Sequence, residues 1–212
     1  MADAMLSESS LAYAESFAIE SDVIAAARER GHELGCVPIG PAGGATLRML
    51  AVAAGARSVV EVGTGAGVSG LYLLDGMAED GQLVSIDIEP ENQRAAKDAY
   101  TEAGIAATRY RLINGAAADV LPRMREAAYD LVFVDADKSA YAVYYEQAIR
   151  MLRPGGVVAF DNALWHDRVA DPSQRDTDTV TLRELSKTVR DDTRLASTLI
   201  AVSDGMLVAA KR

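Results

Sequence analysis

Alternating strand and helix patterns from residue 58 onward are the feature that most constrains the fold of this 212-residue chain. Short apolar runs rich in β-branched residues recur, and each is followed by a segment with the apolar spacing of a helix. Such alternation predicts a mostly parallel sheet with helices on both faces, because parallel neighbours need a crossover connection. The predicted strands are 58–62, 82–88, 109–113, 129–134 and 156–160, and the predicted helices are 68–78, 90–103, 117–127 and 139–152.

The N-terminal part of the chain precedes this alternation. Apolar residues recur at helical spacing over residues 6–55, with breaks near Ser21-Asp22 and across the Gly- and Pro-containing stretch 35–44. The length and the 50% hydrophobic composition suit one globular domain with a full core. We therefore expect a single domain, with a helical segment over residues 1–55 and an α/β core over 56–212.

The C-terminal part predicts a different strand direction. Pro154-Gly155-Gly156 is predicted to form a turn, and a helix is predicted over 178–191, after a charged loop. Two apolar runs, 195–202 and 206–210, then flank an Asp-Gly pair, which is typical of a β-hairpin. The last strand is therefore expected to be antiparallel and to lie at the edge of a seven-stranded sheet.

A glycine-rich turn follows the first strand of the core. Gly63-Thr64-Gly65-Ala66-Gly67 connects that strand to a helix, so the backbone there can approach a ligand closely at a helix N-terminus. Asp87 closes the second strand, where a carboxylate can accept hydrogen bonds from two ribose hydroxyls. The pattern indicates a cofactor that contains a nucleoside.

Two other interpretations of the glycines stay open at this point. Gly65-Ala66-Gly67-Val68-Ser69-Gly70 formally fits the dinucleotide pattern of a nicotinamide-dependent oxidoreductase, although it begins two residues too late for that fingerprint. The glycines could also only form a tight turn between strand and helix. A cofactor-binding protein without catalytic activity is a further alternative.

Acidic clusters follow two later strands of the predicted sheet. Asp135-Ala136-Asp137-Lys138 follows the strand 129–134, and Asp161-Asn162 follows the strand 156–160. Ligands of open α/β sheets bind outside the carboxyl ends of the strands, and oxygen ligands suggest a hard cation. Helix capping is the plainer explanation for each Asp, but capping requires neither Lys138 nor Asn162. We therefore interpret the two clusters as one site.

The composition argues against several classes of function. A net charge of −10 disfavours nucleic acid as a partner, because phosphate binding needs clustered Lys and Arg. The lone Cys36 cannot form an internal disulfide, and the two histidines, His32 and His166, do not offer a zinc cluster. Residues 1–20 lack the positive region of an export signal, and no run approaches the ~20 apolar residues of a membrane span. We expect a cytoplasmic protein that binds neither nucleic acid nor membrane.

Together these motifs resemble those of the cation-dependent O-methyltransferases of the caffeoyl-CoA and catechol type. The matching segments are Glu61-Val62-Gly63-Thr64-Gly65-Ala66-Gly67, Asp87, Asp135-Ala136-Asp137-Lys138 and Asp161-Asn162-Ala163-Leu164-Trp165. Coupling of both acidic segments to the glycine motif is the most specific part, because glycine loops alone occur in many methyltransferases and dehydrogenases. The resemblance covers nearly the whole chain. It implies a Rossmann-like class I methyltransferase fold and S-adenosylmethionine as cofactor.

The resemblance also implies roles for individual residues at the cofactor end. Gly63, Thr64 and Gly65 would line the adenosylmethionine, and Asp87 would hold its ribose. The pocket would be completed by Ile39, Glu61, Ser69, Ala116 and Asp135. Ile39 lies in a Pro- and Gly-rich stretch, Pro38 to Gly44, where such enzymes often carry polar or acidic residues.

At the acceptor end the resemblance implies a metal-assisted reaction. Asp135, Asp161 and Asn162 would bind Mg²⁺, with Mn²⁺ or Ca²⁺ as alternatives, and Lys138 would be the general base. Asp137 and Trp165 would face a small aromatic substrate with a catechol-type hydroxyl. Two vicinal hydroxyls can chelate a cation, which stabilises the phenolate that attacks the methyl group. A homodimer is the expected assembly.

Four further side chains near these motifs invite functional interpretations. Tyr141, Tyr144 and Tyr145 follow Lys138 at helical spacing, which is more typical of packing than of substrate contact. His166 follows Trp165, but a lone histidine at the start of a loop is more often solvated or capping. None of the four is assigned to the site.

Overall fold

The computed structural model describes residues 7–212, so Leu6, at the start of the predicted helical region, lies outside the described residues. Helices α1 (Glu8–Ser16), α2 (Asp22–Glu33) and α3 (Pro41–Ala53) come first. The hydroxyls of Ser7 and Ser21 accept hydrogen bonds from the first turns of α1 and α2, as N-cap residues do. The predicted break near Ser21-Asp22 is confirmed. The break predicted across 35–44 ends at Gly40, because α3 begins at Pro41, a residue that suits the first turn of a helix.

The rest of the chain alternates strands and helices as predicted. The strands are β1 (Ser58–Val62), β2 (Gln82–Asp87), β3 (Tyr110–Asn114), β4 (Tyr129–Val134), β5 (Leu152–Phe160), β6 (Leu195–Ile200) and β7 (Met206–Lys211). The helices are α4 (Val68–Gly76), α5 (Pro90–Glu102), α6 (Ala117–Val120), α7 (Tyr141–Met151) and α8 (Thr177–Asp191). The helix predicted over 117–127 is shorter than expected, because Pro122 lies in a 3-10 turn directly after α6.

The seven strands form one sheet in the order β3-β2-β1-β4-β5-β7-β6. Neighbouring strands from β3 to β5 are parallel, and β7 is antiparallel to both β5 and β6. The predicted antiparallel last strand is confirmed, but its predicted edge position is wrong, because β7 inserts between β5 and β6. A hairpin turn fixes the pairing of its own two strands, and it does not decide which of them meets the rest of the sheet.

The predicted turn at Pro154-Gly155-Gly156 is also wrong as an element boundary. The three residues lie inside β5, where they form a bulge. Tyr129 pairs with Leu152 and Leu131 pairs with Val157, so β5 holds three more residues than β4 between these pairs. The turn-forming residues absorb this excess, and they leave the pairing intact on both sides.

Helices cover both faces of the sheet and enclose a core on each. The side chains of Val59 and Val60 point to opposite faces, as alternation along a strand requires. Helices α2 to α5 contribute buried residues to the face of Val59, and α6 to α8 contribute to the face of Val60. Over residues 7–212, none of the helices combines the length and apolar character needed to cross a membrane.

Candidate active site

The carboxyl ends of the central strands meet at one edge of the sheet and place the predicted site residues side by side. The backbone pairing continues past the strand ends, with Gly63 N donating to Ile86 O at 2.9 Å and Asp135 N donating to Val62 O at 2.8 Å. Asp161 N donates to Val134 O at 3.0 Å. The ends of β2, β1, β4 and β5 therefore form a continuous row beside a cavity of about 670 Å³.

Twelve of the fourteen predicted site residues line this cavity. They are Ile39, Gly63, Thr64, Gly65, Ser69, Asp87, Ala116, Asp135, Asp137, Lys138, Asn162 and Trp165. The other two, Glu61 and Asp161, are buried beneath the surface of the cavity, at 0% and 2% exposure. The structure thus brings the two halves of the predicted site into one space.

Gly63 and Gly67 give the turn after β1 its shape. Both have a positive φ, 96° and 90°, which strongly favours glycine. A Cβ atom on Gly63 would lie 1.8 Å from the carbonyl oxygen of Asp135, so only glycine allows the two loops to approach. Gly67 is the N-cap of α4, and the helix therefore begins directly beneath the cavity.

Asp87 fixes the glycine turn as well as lining the cavity. Its Oδ2 accepts hydrogen bonds from Thr64 N and Gly65 N, both at 3.0 Å. Its Oδ1 accepts one from Glu89 N at 2.9 Å, and Asn92 Nδ2 lies 3.2 Å from Oδ2. Asn92 also lines the cavity, and the pattern of glycines and acids gave no signal that would have selected it.

Glu61 lies behind the cavity wall in a fully buried polar network. Ser69 Oγ donates to one carboxylate oxygen at 2.6 Å, and Ser85 Oγ donates to the other at 2.5 Å. Burial raises the pKa of Glu61 from 4.5 to about 7, and the two serine hydrogen bonds oppose this rise. Glu61 therefore does not line the cavity, but it accepts a hydrogen bond from Ser69, which does.

The raised pKa of Glu61 should make the stability of the protein depend on pH. Between about pH 4.5 and pH 7 the folded protein holds a proton that the unfolded chain releases, so the free energy of unfolding falls as the pH rises. Glu61→Gln should remove this dependence, which we expect to appear as a loss of about 1 to 3 kcal/mol in the parent relative to the variant. Urea unfolding of both proteins at about pH 5 and about pH 8 measures it. Glu91→Gln, at an exposed position, serves as the control. An equal change in the free energy of unfolding between the two pH values in all three proteins would contradict the prediction.

Lys138 is the centre of the acidic cluster. Its Nζ donates to Asp135 Oδ1 at 3.1 Å, to Asn162 Oδ1 at 2.6 Å and to Tyr141 Oη at 2.8 Å. The side chain is 9% exposed, and the residue follows Asp137, which caps a short 3-10 helix. Residues from the ends of β4 and β5 thus converge on one buried ammonium group.

Asp161 contributes a buried carboxylate to the same region. Its Oδ1 has no hydrogen-bond partner among residues 7–212. Burial, reinforced by the negative charge of Asp135, raises the pKa of Asp161 well above its ordinary value. A cation in contact with this oxygen would offset the cost of burying the charge. Over the described part of the chain, no group of three His, Cys, Asp or Glu side chains forms a metal site by itself.

The loop after Asp161 has an unusual backbone. Asn162, Trp165, His166 and Asp167 all have positive φ values, between 51° and 65°. The Trp165 ring stacks on the His166 ring at 5.7 Å, and Lys138 Nζ lies 5.7 Å from the centre of the Trp165 ring. The indole Nε1 is buried and finds no partner within the described residues. This loop therefore brings a flat aromatic surface to the end of the cavity near Lys138.

The three tyrosines and His166 differ in their relation to the site. Tyr141 is fully buried, packs on Phe160 at a ring distance of 5.8 Å, and holds Lys138 through its hydroxyl. Tyr144 and His166 line the cavity, and Tyr145 is buried away from it. Helical spacing alone could not distinguish them, because all three tyrosines are buried in α7.

Comparisons with known proteins identify relatives over nearly the whole chain. A sequence model of the O-methyltransferase family matches residues 9–212. A relative from Mycobacteroides abscessus, provisionally named an O-methyltransferase, is 48% identical over 204 residues, which are 96% of this chain and 95% of the relative.

Solved structures are also similar to this chain over nearly its whole length. A protein from Corynebacterium glutamicum superposes with a TM-score of 0.87 at 30% identity, over 94% of both chains. The O-methyltransferase TomG from Streptomyces achromogenes, solved in complex with S-adenosylmethionine, superposes with a TM-score of 0.86 at 28% identity, over 96% of both chains.

Proposed function

Because this chain belongs to the O-methyltransferase family, we propose that it transfers a methyl group from S-adenosylmethionine to a catechol-type hydroxyl of a small aromatic molecule, with the help of a divalent cation. One observation carries the proposal. Lys138 donates hydrogen bonds to both Asp135 and Asn162 at one end of the cavity, and the glycine turn lines the other end of it.

The glycine end of the cavity suits the cofactor. The turn of Gly63, Thr64 and Gly65 allows close approach of a ligand, and Asp87 beside it offers a carboxylate to ribose hydroxyls. Ile39, Ser69 and Ala116 complete the lining, whereas Glu61 supports it from behind. The adenosylmethionine bound to the related TomG supports this assignment.

The acidic end of the cavity suits a divalent cation. Asp161 Oδ1 is a buried oxygen without a partner in the described chain, and Asp135 and Asn162 already direct oxygens at the ammonium of Lys138. Two carboxylates and one carboxamide are the donor set of a hard cation, so we assign Asp135, Asp161 and Asn162 to Mg²⁺, with Mn²⁺ or Ca²⁺ as alternatives. When bound, such an ion lowers the pKa of a hydroxyl that it coordinates.

Lys138 is the residue that we assign to proton removal. Its Nζ lies at the acidic end of the cavity and donates a hydrogen bond to Tyr141 Oη, which holds it in place. In its neutral form Nζ takes the proton from the attacking hydroxyl as the oxygen becomes a nucleophile. S-adenosylmethionine supplies a methyl group on a positively charged sulfur, so attack by this oxygen forms the carbon–oxygen bond and breaks the carbon–sulfur bond. The residues around the cavity hold the reacting atoms in line.

The acceptor is proposed to be an aromatic molecule with two adjacent hydroxyls. Trp165 presents an aromatic surface near Lys138, and Tyr144 and Asp137 line the same end of the cavity. Asp137 is exposed, and its carboxylate already accepts a hydrogen bond from Ser139 Oγ at 2.6 Å. A flat ring against Trp165 would place its hydroxyls toward the acidic end.

We also propose a cytoplasmic homodimer. Four apolar side chains of α1 and the residues after it are exposed, namely Leu11, Tyr13, Phe17 and Ile19. Exposed apolar surface of this kind is characteristic of protein interfaces. Light scattering on a size-exclusion column measures the mass, and a monomeric mass would reject the dimer.

Asp87→Ala should weaken the binding of adenosylmethionine by roughly tenfold or more. The ribose would lose a charged acceptor worth about 1.5 to 3 kcal/mol, and the glycine turn would lose the carboxylate that fixes it. Isothermal titration calorimetry measures the affinity. Asp98→Asn on α5 provides a control that changes the net charge equally, and an unchanged dissociation constant for Asp87→Ala would reject the assignment.

The proposed function is tested by titrating the protein with adenosylmethionine and with NAD, each with and without Mg²⁺. Binding of adenosylmethionine alone supports the methyltransferase, and binding of NAD alone supports the oxidoreductase alternative. Methyl transfer is then assayed on catechols, flavonoids and hydroxycinnamoyl thioesters. Binding without turnover on any acceptor would favour a cofactor-binding protein.

A further inference from the structure

Asp204, in the hairpin loop between β6 and β7, reaches the site with its side chain. It has no role in the proposed function. Its Oδ2 accepts a hydrogen bond from Asn162 Nδ2 at 3.2 Å, and its Oδ1 accepts one from His166 N at 2.6 Å. The side chain is 16% exposed. A single carboxylate thus contacts the proposed cation ligand and the loop that carries Trp165.

Backbone hydrogen bonds reinforce this contact. Leu164 N donates to Asp204 O at 2.9 Å, and Ala163 N donates to Gly205 O at 2.8 Å. The segment that they hold includes residues with positive φ at Asn162 and Trp165, a conformation that costs free energy for residues with a side chain. Such a backbone persists only where the surroundings determine it, and the hairpin supplies those surroundings.

The surroundings of Asn162 fix which way its amide points. A carboxylate can only accept hydrogen bonds, so Asp204 requires the amide nitrogen on its side. The ammonium of Lys138 can only donate, so it requires the amide oxygen on the opposite side, where Oδ1 lies 2.6 Å from Nζ. With Asp204 in place, Asn162 therefore directs its oxygen toward Lys138 and Asp135.

The other side of the hairpin loop is anchored to the N-terminal helices. Ser203 Oγ accepts a hydrogen bond from Gly43 N of α3 at 3.2 Å. Ser203 N donates to Glu15 Oε2 of α1 at 3.4 Å, and Glu15 Oε1 accepts from Ala42 N at 3.2 Å. Asp204 is thus held on a fixed part of the molecule, as a residue that orients another must be.

We propose that Asp204 is a positioning residue that orients the Asn162 carboxamide for the cation and holds the loop of Trp165 against the cavity. The inference rests on the proposed function, because it assumes that Asn162 binds a divalent cation. Residues that orient metal ligands typically contribute about 10- to 100-fold to metal affinity, and we expect Asp204 to lie in this range.

The test is a titration of the full chain with Mn²⁺. The electron paramagnetic resonance signal of the free ion measures how much Mn²⁺ is bound. Asp204→Asn keeps the size of the side chain, but its amide nitrogen must face either Asn162 or His166 N. We expect its Mn²⁺ affinity to fall by about 10- to 100-fold, with the affinity for adenosylmethionine unchanged. Unchanged Mn²⁺ affinity would overturn the proposal.

Two further variants separate orientation from general loosening of the loop. Ser203→Ala removes the neighbouring contact with Gly43 and keeps Asp204, so its Mn²⁺ affinity should fall far less; an equal loss would overturn the proposal. The double variant Asn162→Asp with Asp204→Asn restores the pair with the donor reversed, and it should regain affinity relative to Asp204→Asn. Failure to regain it would also overturn the proposal. If the parent protein binds no Mn²⁺, the cation in the proposed function is wrong.

Discussion

Asp161→Asn is expected to lower cation-dependent turnover by more than about 100-fold and to leave adenosylmethionine binding nearly unchanged, because a metal ion that activates an oxygen contributes several kcal/mol. Asp161 is 2% exposed, and its Oδ1 has no partner within residues 7–212. Asparagine keeps the shape of the side chain but not the charge that would hold the ion. The cofactor end is built from β1 and β2 and is not altered.

Turnover of Asp161→Asn is compared with that of the parent at saturating adenosylmethionine, across a titration of Mg²⁺ or Mn²⁺. Asp80→Asn is the matched control, since it removes one negative charge at an exposed ion pair with Arg57. Chelation of the parent should reproduce the effect of Asp161→Asn, and acceptors with a single hydroxyl should react poorly. Full activity of the parent in excess EDTA would remove the cation from the mechanism.

Lys138→Met should lower kcat by roughly 10²- to 10⁴-fold, the usual range for a general base. Methionine keeps much of the aliphatic bulk of the buried side chain but cannot accept a proton. The remaining activity should rise with pH, as hydroxide replaces the missing base. Mn²⁺ affinity should not weaken, because the ammonium of Lys138 competes with a cation for the oxygens of Asp135 and Asn162.

A pH-rate profile of Lys138→Met beside the parent makes the measurement, with the exposed Lys97→Met as the matched control. Thermal unfolding shows whether loss of the contact with Tyr141 alters the fold. Parental kcat at neutral pH would show that Lys138 has a structural role and that solvent can remove the proton.

The convergence of the acidic clusters was predictable, because it follows from local patterns. Each cluster directly follows an apolar strand, and parallel strands bring their carboxyl ends to one edge of the sheet. Asp135 and Asp161 could therefore be placed at one edge of the sheet without knowledge of the strand order, and the pairing of β4 with β5 makes them neighbours. The same reasoning placed Gly63 and Asp87 at that edge.

The position of β7 and the role of Asp204 were not predictable in this way. Both depend on contacts between distant parts of the chain, and the partner of Asp204, Asn162, lies 42 residues earlier. The Asp-Gly pair predicted a turn. A role in the turn already explains an aspartate at position 204, so the pattern did not indicate its contact with Asn162. The position of Glu61 behind the cavity wall was not predictable either, because β1 is buried on both faces and its pattern does not show which side chains reach the cavity.

The insertion of β7 between β5 and β6 has a consequence for biosynthesis. A growing chain leaves the ribosome from its N-terminus, so the strands that carry the glycine turn and Asp87 are available for pairing long before β7. Strand β6 then has no place in the sheet until β7 has been made, and Asp204 reaches Asn162 only with it. The nucleoside-binding half of the sheet can therefore pair first, and the half that would perform chemistry is completed only after β7 has been made.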